Sequence, residues 1–329
     1  MLSVINVAPL APYAISLIAT GAVLAVIAVW LIFCAVIANN VLKKATKPVA
    51  HTLDEVRKIQ AETEHTDIDA YENKWLRTPF EIDGLHGKLR GEVIDNPADN
   101  GNRRKVAIIV HGHTMNRINS VKYAAVFYNL GFSAVIYDHS YFGQSDGQFC
   151  TLGYYERHDL SAVIDFTKQR FGNDSVIALH GESMGAVTAL TVLGLRNDVD
   201  MVIADCPFSD TFNYYCELFT HLTKLPSFPV VEISGRIAKR KYGYDFQKCS
   251  PIADVAHTDV PVCFIHGLAD DYIYPHHSQD MYKVCQNPLS ELHLVPNARH
   301  ACSHLTDREA YTQIVGGFVN KIMENNIKE

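Results

Sequence analysis

The sequence has no excess of positive charge. Its 329 residues contain 29 Lys and Arg against 36 Asp and Glu, which gives a formal net charge of −7 at pH 7. Proteins that bind nucleic acid usually carry a basic surface that contacts the phosphates. The charge balance therefore argues against a nucleic-acid partner.

The eight cysteines lack any C-x-x-C pair and are scattered along the chain. The short spacing typical of zinc and redox motifs is therefore missing. An even number permits disulfides, but Cys206 and Cys263 lie in apolar, strand-like stretches, where buried free thiols are common. We expect reduced cysteines and a reducing compartment.

Lysine and arginine are absent from the first thirteen residues, and charge of either sign is absent from residues 14–38. A helix of 25 residues, at about 1.5 Å per residue, is long enough to cross a hydrocarbon core of about 30 Å with some tilt. This segment differs from a cleavable signal peptide, which has a basic start, a shorter apolar core and a cleavage site of small residues. The pattern predicts one transmembrane helix at about 14–38, within an N-terminal segment of residues 1–40.

Three lysines, Lys43, Lys44 and Lys47, follow this apolar run. The positive-inside bias places such a flank in the cytoplasm, which predicts a single-pass protein of the cell membrane with a cytoplasmic C-terminal part. Residues 41–78 are polar and are expected to form a stalk. A capping box at residues 52–55, T-L-D-E, predicts a short helix within it.

Residues 79–329 alternate between apolar strand-like runs and amphipathic helical patterns. This alternation is typical of an α/β fold with a mostly parallel central sheet and helices on both faces. It stops over about 207–257, an aromatic-rich stretch that is too long for a plain connection. We expect a helical cap there; the alternative is an extra helical layer that only packs on the sheet.

A G-E-S-M-G stretch at residues 181–185 stands between a buried-strand run and a helical pattern. In this setting the glycines permit a sharp turn that exposes Ser183 at its tip. The motif alone arises by chance about one time in ten in a chain of this length, given ordinary glycine and serine frequencies. A serine nucleophile also needs a base and a carboxylate that orients the base.

Both groups follow later in the chain, each just after a strand-like run. Asp270 and Asp271 follow V-P-V-C-F-I-H, and His300 follows E-L-H-L-V by a few residues. The order Ser, Asp, His along the chain is the order expected for this type of site. Because each residue follows a strand, the three side chains are expected to meet at one edge of the sheet. Asp270 is the better candidate for the orienting carboxylate, because Asp271 also fits a solvated turn or a helix cap.

His304 lies one turn beyond His300 and is the second candidate for the base. Cys302 with these two histidines suggests a metal site, but a fourth ligand at useful spacing is missing. A metal site here is therefore not expected.

Four stretches together resemble the α/β-hydrolase superfamily: H-G at 111–112, G-E-S-M-G, H-G-L-A-D at 266–270 and A-R-H-A at 298–301. The resemblance covers about residue 80 to the C-terminus. The last part is similar to the branch with serine aminopeptidase-like, prolyl oligopeptidase-like and acyl-thioesterase members. The apolar span and the cap resemble uncharacterised membrane-anchored bacterial members.

Two positions depart from the family pattern. The loop at 138–145 is similar to the family's D-x-R-G-x-G-x-S, but Ser140 replaces the arginine and Phe142 intervenes before the glycine. Tyr274 stands as an insertion before Pro275, which is expected to shift the loop beyond Asp270 without changing its spacing from His266.

The resemblance implies a role for each matching residue. Ser183 would be the nucleophile, His300 the general base and acid, and Asp270 the residue that orients His300. The oxyanion hole would consist of the backbone N–H groups of His113 and Met184. The resemblance implies no metal and no organic cofactor.

These features predict a membrane-anchored serine hydrolase that cleaves an acyl ester, carboxylesterase or lipase-like, through an acyl-enzyme. The expected substrate is a small molecule with an apolar acyl group, because the cap is aromatic. The alternatives are an acyl-thioesterase and a serine aminopeptidase, in which a carboxylate pair such as Glu217 and Glu232 in the cap would bind a free amine. A catalytically silent, membrane-tethered binding module is the alternative of another class, although such members usually lack a triad residue.

Overall fold

The first element that the computed structural model describes is one continuous helix, α1 (Pro12–Thr46). The structure describes residues 12–101 and 103–326, so residues 1–11 of the predicted N-terminal segment and 327–329 of the predicted hydrolase domain lie outside the described residues. Helix α1 is long and apolar enough to cross a membrane. It continues past the predicted end of the span at residue 38, because apolar residues on one face keep it packed against the domain.

The two parts of α1 have different surroundings. Residues 13–33 are exposed apart from the half-buried Ala14. Beyond them Cys34, Ala38 and Leu42 are buried. Their spacing of four residues places these three side chains on one face of the helix. The exposed part is thus the candidate span, and the buried part belongs to the folded domain.

The segment predicted as a stalk packs against the domain instead of standing apart from it. Helix α2 (Leu53–Glu62) begins with the capping box of Thr52 and Glu55. Val56 in this helix and Tyr71 in the following helical turn are fully buried in the main apolar core. The stretch around Tyr71, residues 65–75, is acidic and shows no periodic apolar pattern in the sequence.

An eight-stranded sheet forms the centre of the domain. Its strands are β1 (Leu76–Gly84), β2 (Gly87–Asp95), β3 (Lys105–Val110), β4 (Ser133–Tyr137), β5 (Val176–Glu182), β6 (Met201–Asp205), β7 (Val262–Gly267) and β8 (Glu291–Val295). The strand order is β1-β2-β4-β3-β5-β6-β7-β8. The β1–β2 and β2–β4 pairs are antiparallel and the other five are parallel. The predicted mostly parallel sheet is confirmed; its first strand starts at Leu76, inside the predicted stalk.

Helices cover both faces of this sheet. They are α3 (Val121–Asn129), α4 (Glu156–Phe171), α5 (Met184–Thr191), α6 (Thr211–Thr223), α7 (Val230–Tyr242), α8 (Pro251–Val255), α9 (His276–Val284), α10 (Ser303–Thr306) and α11 (Arg308–Asn326). One apolar layer contains Phe127 of α3 and Phe318 of α11, and the other contains Leu160 of α4 and Leu190 of α5. Because the central strands are buried on both faces, their sequences are continuous apolar runs.

Helices α6, α7 and α8 lie between β6 and β7, within the predicted cap. Their aromatic side chains, among them Tyr214, Tyr215 and Phe219, form a third apolar cluster with Met184 at the start of α5. Residues 34–46 of α1 join the same cluster. The cap therefore covers the edge of the sheet where the predicted site residues lie, and α1 is part of that cover.

Candidate active site

Ser183 occupies a sharp turn between β5 and α5. Its backbone lies at φ 54° and ψ −116°, a conformation that is costly for a residue with a side chain. A Cβ on Gly181 would lie 2.3 Å from the backbone of Gly185, and one on Gly185 would lie 2.1 Å from the carbonyl oxygen of Val110. The two glycines are therefore required by the close approach of the backbone, as a nucleophile elbow demands.

The structure brings Ser183, His300 and Asp270 together in a hydrogen-bonded row. The Oγ of Ser183 lies 3.0 Å from Nε2 of His300, and Nδ1 of His300 lies 2.8 Å from Oδ2 of Asp270. Ser183 and Asp270 are buried, whereas His300 is partly exposed. The parallel arrangement of β5, β7 and β8 places the three loops at one edge, so residues far apart in the sequence meet there.

Several donors hold Asp270 as an ionised carboxylate. Its Oδ1 accepts hydrogen bonds from the backbone N–H groups of Tyr272 and Ile273, at 3.0 Å and 2.8 Å. Burial raises the pKa of Asp270, but hydrogen bonds from His266 and His300 outweigh it, so the net pKa lies below the ordinary range. His266, whose Nε2 is 3.3 Å from Oδ2, was not assigned a role from the sequence. The available signal was its position four residues before Asp270.

The two expected oxyanion-hole residues lie beside Ser183. Met184 is the first residue of α5, so its N–H has no acceptor within the helix. His113 follows β3 and lines the same cavity as Ser183 and Met184. Its ring is engaged elsewhere, because Nε2 lies 3.0 Å from the carbonyl oxygen of Ala45 in α1. The backbone N–H of His113 is thus the group that can face a substrate.

The competing candidates from the sequence lie elsewhere. Asp271 is exposed, 3.9 Å from Arg299. His304 is buried, with its ring beside those of Tyr123 and Tyr311, and burial lowers its pKa to about 4. Within the described residues, the groups close enough to hold a metal ion include neither His304 nor Cys302.

A buried polar cluster lies beneath the elbow and was not predicted. Glu182, the second residue of the motif, accepts hydrogen bonds from Tyr123 at 2.6 Å and Asn119 at 2.9 Å, and pairs with Lys122 at 2.9 Å. Burial and the charge of Glu182 raise the pKa of Asp205 to about 6. Asp205 also accepts a hydrogen bond from Ser303, three residues after His300. The cluster thus ties the elbow to the loop that carries His300.

Arg117 contacts the loop that follows β4. Its side chain pairs with Asp138, and its backbone N–H donates to the same carboxylate at 2.7 Å. Ser140, at the family's arginine position, donates to Asp159 instead.

Tyr274, the insertion before Pro275, connects the loop after Asp270 to the cap. Its hydroxyl lies 2.9 Å from Nδ1 of His221 in α6.

A cavity of about 430 Å³ opens above Ser183. It is lined by Val41, Lys44, Ala45, His113, Leu152, Ser183, Met184, Phe208, Tyr214, Tyr215, Leu218, Phe219, Leu222, Thr223, Tyr272 and Ile273. Lys44 is the one lysine or arginine among these lining residues, and no carboxylate is among them. Glu217 lies outside, where His276 and His277 contact its carboxylate at 3.3 Å and 3.1 Å. Glu232 borders a different hollow between α6 and α7.

The strand order, the elbow and the Ser-His-Asp row together define the α/β-hydrolase fold. The chain belongs to the α/β-hydrolase superfamily: residues 150–326 match the model of the prolyl oligopeptidase family, and residues 50–227 match the model of the X-Pro dipeptidyl-peptidases of the S15 family. The uncharacterised protein YqkD of Bacillus subtilis is 34% identical over 313 residues, which cover 94% of this chain and 98% of that protein.

Two solved esterases share the fold. The esterase Pf2001 of Pyrococcus furiosus superposes with a TM-score of 0.62 at 23% identity, covering 77% of this chain and 95% of its own. Est1E of Butyrivibrio proteoclasticus, solved with ferulic acid bound, superposes with a TM-score of 0.59 at 21% identity, covering 74% and 99%. At these identities the likeness concerns the fold.

Proposed function

We propose that this protein is a membrane-anchored serine hydrolase that cleaves an acyl ester, carboxylesterase or lipase-like, with an apolar acyl group. The observation that carries the proposal is the hydrogen-bonded row of Ser183, His300 and Asp270 beneath an apolar cavity. All three members of the row are in place, which argues against a catalytically silent binding module.

The geometry supports a two-step acyl transfer. His300 Nε2 takes the proton of Ser183 as Oγ attacks the carbonyl carbon, and Asp270 stabilises the imidazolium through Nδ1. The N–H groups of Met184 and His113 stabilise the oxyanion of the tetrahedral intermediate. His300 then gives its proton to the departing alcohol oxygen, which leaves the acyl group on Ser183. A water molecule repeats the attack, with His300 again as base, and releases the acid and the free serine.

The polarity of the cavity favours an ester with an apolar acyl group over a peptide with a free amino terminus. An ammonium group in a buried site requires a carboxylate partner. No carboxylate lines the cavity within the described part of the chain, and the carboxylate of Glu217 is engaged by two histidines. Aromatic and aliphatic side chains instead suit a hydrocarbon chain.

Helix α1 supports membrane anchoring in two ways. Its exposed part, residues 13–33, has 21 residues, which at about 1.5 Å per residue measure about 31 Å, close to the thickness of a hydrocarbon core. The same helix continues without a break into the domain, where Cys34, Ala38 and Leu42 are buried. A core helix would be buried along its whole length. The lysines after the span favour the cytoplasmic side for the domain.

Labelling with a fluorophosphonate probe tests the catalytic part of the proposal. We expect the parent protein to label and the Ser183→Ala and His300→Ala variants to fail while keeping the parent's thermal denaturation profile. A correctly folded parent that does not label would favour the binding-module alternative. Equal labelling of the parent and Ser183→Ala would place the nucleophile elsewhere.

A substrate panel separates ester hydrolysis from the alternatives. We expect hydrolysis of p-nitrophenyl esters with medium or long acyl chains, and little release of p-nitroaniline from aminoacyl anilides. Preferred cleavage of the anilides would support an aminopeptidase, and preferred cleavage of acyl thioesters would support a thioesterase.

Protease digestion of sealed, right-side-out vesicles tests the side of the membrane. The domain should be protected until the vesicles are opened with detergent. Digestion from the outside would overturn the cytoplasmic placement.

A further inference from the structure

Helices α1 and α7 lie side by side and run in the same direction. The hydroxyl of Ser234 in α7 donates to the carbonyl oxygen of Ala38 in α1, at 3.2 Å. At the far end of α7, the ring of Tyr242 packs on Phe149. The next residue, Cys150, donates its backbone N–H to the carbonyl oxygen of Thr46, the last residue of α1. Both helices therefore end at the same level.

The start of α7 consequently lies where α1 leaves the domain. Val230 precedes Ser234 by four residues, and Cys34 precedes Ala38 by four, so the two are about level. Before Cys34, α1 is exposed over a length that matches a hydrocarbon core. If α1 spans a bilayer, the membrane surface lies close to Cys34 and hence to the connection between α6 and α7.

That connection carries large apolar side chains in solvent. Phe228 is 70% exposed and Leu225 is 58% exposed, and Leu222 at the end of α6 is 67% exposed. Single exposed apolar residues are common, but a group of them within seven residues marks a contact surface. The neighbouring residues 224–229, K-L-P-S-F-P, contain one charge.

The cavity above Ser183 extends to the same place. Leu222 and Thr223, the last residues of α6, line it on one side, and Val41 and Lys44 of α1 line it on the other. An apolar path thus connects the end of α6 with the nucleophile.

We propose that the connection between α6 and α7 rests in the lipid surface beside α1, and that the ester reaches Ser183 from the bilayer through this path. The substrate is then an acyl ester of a membrane lipid rather than a freely soluble ester. The choice of substrate class rests on the proposed hydrolase activity, and the contact with lipid rests on the proposed membrane anchoring by α1. A second copy of the chain is the other possible occupant of this apolar surface, and the experiments distinguish it.

Fluorescence quenching tests the lipid contact independently of activity. The full chain is reconstituted into vesicles in a Trp30→Phe background, which removes the tryptophan of the span. Phe228→Trp is compared with Leu195→Trp, an exposed leucine after α5 at the opposite edge of the sheet. Brominated phosphatidylcholine should quench the tryptophan at 228 and leave the one at 195 near the background level. Equal quenching at the two sites overturns the proposal, as does crosslinking of position 228 between two copies without quenching.

An activity split tests delivery of the substrate. Leu225→Glu with Phe228→Glu should reduce hydrolysis of a fluorogenic diacylglycerol held in the vesicles about tenfold or more, because two charges oppose insertion. Hydrolysis of soluble p-nitrophenyl acetate should change less than about twofold, and Leu195→Glu should alter neither. An equal loss on both substrates, or no loss on the lipid, contradicts delivery from the bilayer. A parent that hydrolyses neither ester refutes the proposed function, while the quenching result still stands on its own.

Discussion

The cavity above Ser183 has two walls that are built in different ways. The first, here called the floor, consists of Ser183 with the N–H groups of His113 and Met184, and it is backed by His300 and Asp270 at the carboxyl edge of the sheet. The second, here called the roof, consists of Val41, Lys44 and Ala45 of α1 with side chains of helix α6. Hydrogen bonds and a strained backbone fix the floor, whereas the roof is held chiefly by apolar packing. The comparison separates the residues proposed for the chemistry, which belong to the floor, from those proposed for acyl selectivity, which belong to the roof.

The largest effect is expected at the floor, from His300→Ala. The variant should lose about 10⁵–10⁶-fold in kcat, because Ser183 then has no base and members of a triad act as a unit. Ester hydrolysis at saturating substrate measures this, with the thermal denaturation profile as a check on folding. His293→Ala, in β8 and outside the row, is the matched control. A loss below about a hundredfold would show that another group serves as the base.

The polar cluster beneath the floor should make stability depend on pH. The folded state raises the pKa of Asp205 to about 6 from the ordinary 3.8 through burial and the charge of Glu182, so it binds this proton more tightly than the unfolded chain does. The contribution of this carboxyl to the free energy of unfolding is therefore greatest below about pH 4, and it declines as the pH rises to 6. The resulting penalty at neutral pH is at most about 3 kcal/mol.

Asp205→Asn removes this penalty and keeps an oxygen that can accept the hydrogen bond of Ser303. Relative to the parent, the variant should gain free energy of unfolding at pH 7.5 but not at pH 4, as measured by denaturant unfolding in detergent. Asp271→Asn, an exposed carboxyl, should show no such difference. If Asp205→Asn changed the free energy of unfolding equally at both pH values, Asp205 would not be the source of the pH dependence.

The smallest effect is expected at the roof, from Ala45→Phe, which fills part of the cavity. The ratio of kcat/KM for a long acyl ester to that for an acetyl ester should fall about tenfold, because one or two lost methylene contacts change selectivity by that order. Val36→Phe, on an exposed face of α1, is the control. An equal loss on both esters would mean that the substitution disturbs the floor.

The floor is the part that the sequence predicts well. The backbone approaches so closely at Gly181 and Gly185 that only glycine fits at these positions. This requirement is visible in the sequence as the G-E-S-M-G motif. The strand order brings Asp270 and His300 to the same edge, so their positions after strands suffice to nominate them. The cluster of Glu182, Lys122 and Asp205 leaves no such sign, because its members are distant in sequence and polar residues normally indicate surface.

The roof is the part that the sequence does not reveal. A run of apolar residues predicts a membrane span, but the same residue types also serve as a helix that packs on a domain. The prediction therefore stopped at residue 38, where Asn39 and Asn40 interrupt the apolar run, although Leu42 and Ala45 continue the packed face. The burial of Val56 and Tyr71 in the predicted stalk is hidden from the sequence for the same reason, since it comes from partners that are distant along the chain.

The bond between the ring of His113 and the carbonyl oxygen of Ala45 has a practical consequence. A chain shortened to start after Thr46, as is common when a soluble enzyme is wanted, would remove Val41, Lys44 and Ala45 from the cavity and leave this ring without its acceptor. Such a truncated protein would be open on one side and altered beside the loop that is to hold the oxyanion. For biochemical work, the helix has to be treated as part of the enzyme rather than as a tether that can be cut away.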